Sequence, residues 1–292
     1  MTQTSPLAAT QKRQAFRAIL TGTKCLYPAS VFDPISARLA EDIGFETMMM
    51  AGSIASQTVL GAPDLIVLTL TEFADQARRI NRAGKLPLLV DSDHGYGNAL
   101  NVKRTVEELE VAGVSCLTIE DTDLPQPFGT TKPSLISIEE GVGKMKAALA
   151  GRSDPALIVA GRSSAPMISG LEDTIARTKA YAACGIDAMF LAGVKTRAEL
   201  DAIAAAVKIP LLLGAGGGEL ADREYLASRN VRIALQGHLP FACAVEATRA
   251  AMQALRDGTD PTAITGAASA ELMKKVTRDA DYKTWMKEYL GS

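Results

Sequence analysis

The sequence predicts a (β/α)8 barrel of the TIM type, on three observations. Short apolar runs alternate with amphipathic helical patterns along almost the whole chain. Eight such strand–helix units fit within about 250 residues, the usual size of this fold. Several helical stretches also stop on a glycine just before the next apolar run. These are Gly44, Gly84, Gly113 and Gly185, at the C′ position where a left-handed residue ends a helix. A doubly wound open sheet is the competing architecture, but no GxGxxG phosphate turn follows the first strand.

Taken in order, the chain begins with a polar lead-in and an amphipathic helix, MTQTSPLAATQKRQAFRAIL. That segment has neither the long apolar centre nor the small-residue cleavage pattern of a signal peptide. Candidate strands follow at 25–31, 47–52, 86–93, 115–121, 156–164, 188–193, 209–216 and 231–237. Helical patterns lie between them at 33–44, 70–84, 101–113, 138–151, 171–185, 197–207 and 220–230. No Pro-, Gly- or Ser-rich linker divides the chain, so residues 1–292 are expected to form one domain. The tail from Leu239 to Ser292 carries more helix than closing a barrel needs, and is expected to pack on a partner subunit.

Composition narrows the functional classes. With 31 basic and 33 acidic residues the formal net charge is −2, which gives no electrostatic case for nucleic acid or an anionic membrane surface. The most apolar runs, such as LIVLTL, are far too short to span a bilayer. Cys25, Cys116, Cys184 and Cys243 are widely separated and lack CxxC or Cys/His spacing, so free thiols in a reducing cytoplasm are expected.

The barrel tells where chemistry belongs, because active sites of this fold sit at the C-terminal ends of the strands. The third candidate strand ends LPLLVDSDHGYGN (86–98), spending two carboxylates where burial is costly unless a cation offsets it. Strand alternation puts Asp91 and Asp93 on one face, and Glu120 ends the next strand. Together they make a hard-oxygen site suited to Mg2+ or Mn2+. The alternative is a solvated turn whose acids cap the next helix or, for Glu120 and Asp121, pair with lysines of the following loop. Arg162, at the fifth strand end, suits a substrate carboxylate through two parallel hydrogen bonds, or else pairs with those acids.

Gly52 and Ser53 offer backbone N–H groups and a hydroxyl as an anion cradle, against the alternative of an ordinary turn. His238 lies at the mouth of the last strand, where a histidine can act on substrate. His94 falls on the opposite parity from the two aspartates and is expected to face away. The run Gly214–Gly218 lacks a following Lys or Arg, so it makes a weak phosphate site. The segment DTDLPQPFGTTKPSLIS (121–137) exceeds the usual loop length and reads as an active-site lid without a strong general acid of its own.

DSDHGYGN, the LExAG that closes the following helix, and TIED at the next strand resemble the isocitrate lyase / phosphoenolpyruvate mutase superfamily. AGS at 51–53, APD at 62–64, the LTLTE segment ending at Glu72, Arg162 and the helical tail extend the likeness over nearly the whole chain. The resemblance implies a barrel whose last helix is swapped between subunits, in a homotetramer built as a dimer of dimers. It implies Mg2+ held by Asp91, Asp93 and Glu120 largely through water, with an α-keto or α-hydroxy acid chelating it. It carries Ser53 and Arg162 over as contacts to the substrate carboxylate, and Asp64 as a lid or site-organising acid.

Departures within the superfamily select a branch. The lyase members have a Lys-x-Cys-Gly-His lid, and the phosphorus-transferring members an asparagine-bearing one. TDLPQPFGTTKP (122–133) has neither. His238 in QGHLPF is similar to the histidine of the oxaloacetate decarboxylase branch, as are ASVFDPxSAR and EEGVGK. The activity implied is Mg2+-dependent decarboxylation of a β-keto dicarboxylic acid, oxaloacetate first, with Arg162 and His238 as catalytic residues. The rivals are a lyase acting on a 2-methylisocitrate- or dimethylmalate-like acid, phosphonopyruvate-type chemistry, and a non-catalytic keto-acid-binding barrel. RSSAP (162–166) and the bare Gly216 region depart from the usual branch pattern and bear on the substrate.

Overall fold

A computed structural model describes residues 9–291. Its strands are β1 (Ala29–Ser30), β2 (Met48–Met50), β3 (Leu88–Asp91), β4 (Cys116–Glu120), β5 (Ile158–Ser163), β6 (Ala188–Leu191), β7 (Leu211–Leu213) and β8 (Val231–Ala234). All pair in parallel and in sequence order. Leu26, just ahead of β1, closes the ring. Its N–H donates to the Arg232 carbonyl (2.8 Å), and the Ala234 N–H donates to the Leu26 carbonyl (3.0 Å). The barrel expected from the sequence is therefore the fold, with every strand shorter than the apolar run that contains it.

The helices are α1 (Ala9–Thr21), α2 (Pro34–Ile43), α3 (Gly52–Ala55), α4 (Leu70–Ala83), α5 (Ala99–Val111), α6 (Ile138–Gly151), α7 (Ala165–Ile168), α8 (Leu171–Ala183), α9 (Arg197–Ala206), α10 (Arg223–Ser228), α11 (Leu239–Arg256), α12 (Ala270–Thr277) and α13 (Asp279–Trp285). Their starts are set by side-chain caps: Asp33, Thr69, Asn98 and Thr196 each form a capping box. Gly44, Gly113 and Gly185 take the left-handed conformation expected of helix stops, but Gly84 does not. Its backbone is extended, and an added Cβ would crowd the end of the Glu41 side chain at 2.8 Å. The sequence reading also missed α3, which runs on as a π-turn through Ser56–Leu60, and the single turn of α7.

Alternation along the strands divides the core in two. Met49, Leu89, Cys116, Ile158, Ala160, Phe190, Leu212 and Ile233 point inward, and Phe16 and Leu20 of α1 pack with them. Val90, Leu117, Val159, Met189 and Leu211 point outward against the helix ring. Above the inward apolar layer the same parity delivers Asp91, Glu120 and Arg162 to the mouth. The tail behaves differently. None of the α11 residues is buried, whereas α12 returns to α2 through buried Val276 and the Arg278–Asp42 ion pair (2.7 Å). Among the described residues no helix is long and apolar enough to cross a membrane. All four cysteines are free thiols, Cys25 and Cys116 buried, Cys184 half-buried and Cys243 exposed.

Candidate active site

The mouth is built around Asp91, the last residue of β3. Its Oδ1 accepts from Arg162 Nη1 (2.5 Å), Thr118 Oγ1 (3.0 Å) and the Asp93 N–H (3.3 Å). Thr118 stands beside Asp91 across the β3–β4 register, and Arg162 stands beside Glu120 across β4–β5. Glu120 Oε1 lies 3.5 Å from Arg162 Nη1, and Thr122 Oγ1 donates to Glu120 Oε2 at 2.7 Å. Phe190, next in register to Arg162, puts its ring 5.8 Å from the guanidinium carbon. Thr118, Thr122 and Phe190 were not singled out from the sequence. Thr118 shares strand parity with Glu120, and that signal alone could have found it.

Asp93 joins this group by a route the sequence reading did not anticipate. Strand alternation stops at Asp91. Asp93 takes a left-handed backbone (φ 48°) and its carbonyl accepts the Glu120 N–H at 2.9 Å, so the turn, not the pleat, aims it. Gly95 completes that turn at φ 80°, where a Cβ would also strike Val102 at 2.5 Å. The Asp93 carboxylate then presses on Gly52, whose added Cβ would fall 2.5 Å from Oδ1. Gly52 and Ser53 form the first turn of α3, so the proposed cradle and the acid Asp93 are in contact.

Burial, together with Asp91 and Glu120, raises the Asp93 carboxyl well above the ordinary range. Burial also raises Glu120, with Arg162 opposing, and raises Asp64, which feels Asp91 and Arg162. Arg162 is pushed further toward the charged form: burial opposes its charge, but Asp91, Glu120 and Asp93 outweigh burial. Its Nε is buried without a partner, a donor left over for an anion. The pairing with the acids, the alternative reading of Arg162, is therefore formed, and its Nε is left without a protein partner.

His238 sits just before α11, and its Nδ1 lies 2.8 Å from Ser30 Oγ at the end of β1. Burial lowers its pKa, with Asp91 opposing, so the ring is neutral at neutral pH. His94 packs its ring 6.2 Å from that of Tyr96. It is buried next to Lys144, which donates to its carbonyl (2.9 Å), and its pKa falls to about 4 through burial. Asp121 does not pair with loop lysines. It turns to the outer face of the sheet and binds Arg177 and Tyr181. The 121–137 segment rises from a stitched base, where Thr122 bridges Leu135, and ends in a fully exposed Phe128. Gly216 packs closely on Tyr27 and Ala234, where an added Cβ would fall 3.0 Å from the Ala234 Cβ.

Whether this donor set fits a divalent cation follows from its charge. Three carboxylates share one guanidinium, and two of them are held toward the protonated form by burial. A hard cation relieves that excess. No three acidic, histidine or cysteine side chains among the described residues close into a direct ligand cage. Asp91, Asp93 and Glu120 would hold such an ion largely through retained water, a coordination that suits Mg2+.

A parallel barrel with an acid-rich, arginine-bearing mouth defines an α/β-barrel enzyme of the kind that handles small carboxylic acids. The chain belongs to the phosphoenolpyruvate phosphomutase family, whose model matches residues 16–256. It is 55% identical over 285 residues, 98% of this chain and 99% of the other, to a Bradyrhizobium diazoefficiens protein named oxaloacetate decarboxylase. A phosphonopyruvate hydrolase complexed with oxalate and Mg2+ superposes with a TM-score of 0.83 at 29% identity, covering 96% of this chain and 99% of that one. An oxaloacetate acetylhydrolase bound to 3,3-difluorooxalacetate gives 0.84 at 27% identity, covering 99% of both.

Proposed function

We propose that this protein is a carboxy-lyase that decarboxylates oxaloacetate to pyruvate and CO2 with a divalent cation, Mg2+ or Mn2+, at Asp91, Asp93 and Glu120. The observation that carries the reading is Arg162. It is held between Asp91 and Glu120 with a buried Nε donor to spare, at a mouth whose overhanging loop brings no cysteine or histidine. The near full-length relative named oxaloacetate decarboxylase supports the same substrate. When bound, the cation supplies Lewis-acid polarisation of the α-keto group and relief of enolate charge.

The chain's own residues do the rest. Arg162 binds the substrate carboxylate through its guanidinium edge. The Gly52 and Ser53 N–H groups, in the first turn of α3, are donors for an oxyanion. Asp64, whose carboxyl feels Asp91 and Arg162, orders the approach to the site. Breaking the bond from C3 to its carboxylate releases CO2 and leaves the electron pair as an enolate. His238, neutral and tethered to Ser30, orients the keto acid by hydrogen bonding, and the proton returned to C3 comes from water.

The same reading includes assembly. The exposed Leu239, Val245, Met252 and Leu255 of α11 support a homotetramer in which this helix packs on a partner subunit. Residues 1–292 are taken as one domain, and the free cysteines support a reducing cytoplasm as the compartment. The test is turnover of oxaloacetate with Mg2+ against an EDTA control, with product analysis. Pyruvate with CO2 is expected, and acetate, glyoxylate or no product overturns the reading. Arg162→Ala and His238→Ala are expected to lose activity, and unchanged turnover in both removes their roles.

A further inference from the structure

Behind the mouth, on the outer face of the same two strands, lies a second polar cluster. Alternation sends Glu120 and Arg162 inward, so their neighbours Asp121 and Ser163 point outward and meet, Ser163 Oγ donating to Asp121 Oδ2 at 3.1 Å. The same Oδ2 accepts from Tyr181 OH (2.8 Å) and Arg177 Nη1 (3.0 Å), both on α8. Asp121, Ser163 and Tyr181 have no exposed surface, and Arg177 has 7%. Gly141 of α6 makes room for this arrangement, because a Cβ there would fall 2.2 Å from the Tyr181 hydroxyl.

The cluster reaches both the site and the overhanging loop. The Asp121 N–H donates to the Arg162 carbonyl (3.2 Å), and the Asp121 carbonyl accepts the Ile136 N–H (2.9 Å). Arg177 Nη1 also donates to the Ile136 carbonyl (2.9 Å), while its Nε holds Asp173 (2.7 Å). One guanidinium thus binds the residue after Glu120 and the exit of the 121–137 segment. Buried polar groups joined in this way hold a single geometry, because a misplaced partner leaves a desolvated charge.

We propose that Arg177, Asp121 and Tyr181 form a positioning triad that sets the spacing of Glu120 and Arg162 and couples it to the anchoring of the 121–137 loop. The triad touches no substrate; it acts through the strand ends. Its expected effect on turnover rests on the decarboxylase reading, whereas its effect on the loop does not. Tyr181→Phe keeps the ring packed on Gly141 and removes one donor. Arg177→Lys keeps the charge but lacks the fork that joins Asp121, Ile136 and Asp173.

Both variants are measured for oxaloacetate kinetics with Mg2+ and for amide hydrogen exchange, with circular dichroism confirming the fold. For each, kcat is expected to fall on the order of tenfold or more while KM moves less than about threefold, as misplacement of a reacting group predicts. Exchange of the Ile136 amide is expected to speed up while the amides of β6 and β7 keep wild-type protection. A purely structural cluster would lower protection throughout and leave the kcat of the folded enzyme unchanged. Wild-type kcat in both variants, or unaltered exchange at Ile136, overturns the proposal. If wild-type protein turns over no oxaloacetate, the decarboxylase reading fails alone, and the exchange at Ile136 still decides the triad.

Discussion

The two ends of the barrel both bury charge, and they settle it in opposite ways. At the bottom, Lys12 and Arg13 of α1 are almost fully buried and Arg17 partly so. Lys12 Nζ donates to the Asn81 and Gly84 carbonyls at 2.5 and 2.6 Å, which are C-terminal carbonyls of α4 and the residue beyond it. Arg13 donates to the carbonyls of Val114 (3.0 Å) and Glu110 (2.5 Å) and pairs with Asp154 (2.7 Å). Arg17 pairs with Asp187 at 2.9 Å. Cations laid against helix C-termini are favourable and finished. At the mouth, three carboxylates share one arginine, so their formal charges outnumber its own. A closed account of charge marks structure, and an open one marks a place for a ligand.

That contrast can be broken most decisively at the mouth. Arg162→Met is expected to lower kcat/KM for oxaloacetate by roughly 10³-fold, about 4 kcal/mol of transition-state stabilisation. Steady-state kinetics on folded protein checks it, and a loss confined to stability would make Arg162 a bottom-type residue. Arg13→Met should do the reverse, costing about 3 kcal/mol in urea unfolding because Asp154 loses its partner, with kcat of the folded enzyme unchanged. His238→Asn is expected to cost on the order of tenfold in kcat. Because burial lowers the His238 pKa, its protonation limb lies below pH 6.5, and the pH–rate profile of the variant should lack that limb.

The effect on pH dependence belongs to Lys12. Burial lowers its pKa from 10.5 to about 8, with Glu41 opposing, so the folded state binds this proton less tightly than the unfolded one. Between pH 8 and 10.5 the unfolded chain therefore carries more protons, and folding gains stability as pH rises. Compared with Lys12→Met, the wild-type protein should gain up to roughly 3 kcal/mol across that window. Chemical denaturation of both proteins at pH 7.5 and 10 would measure the difference.

Much of the site was legible before any coordinates. Asp91, Glu120 and Arg162 end apolar strand runs, and the barrel brings such ends together whatever their distance in sequence. Asp93 was found for the wrong reason, since a left-handed turn rather than strand alternation turns it toward Glu120. The helix at Gly52–Leu60 was hidden because its residues lack an amphipathic repeat, and it forms where the Asp93 carboxylate meets the Gly52 backbone. Arg177 and Tyr181 carried no signal at all. On α8 they look like ordinary helix residues, and only the packing of that helix behind β4 and β5 brings them to Asp121.

The sequence by itself determined the periodicities, and with them the eight strands, the surrounding helices and the residues at each strand end. A period of 2 or 3.6 is local, so it is readable along the chain. Tertiary structure decided which charges are satisfied. Arg13 belongs to a helical pattern and Arg162 to a strand end, but neither local position says how the charge is balanced. One meets carbonyls and a single aspartate at the closed end of the barrel, while the other meets an excess of carboxylates at the open end. Electrostatic balance sums over neighbours that only the closed ring assembles, and that sum is what sets Arg162 apart from Arg13.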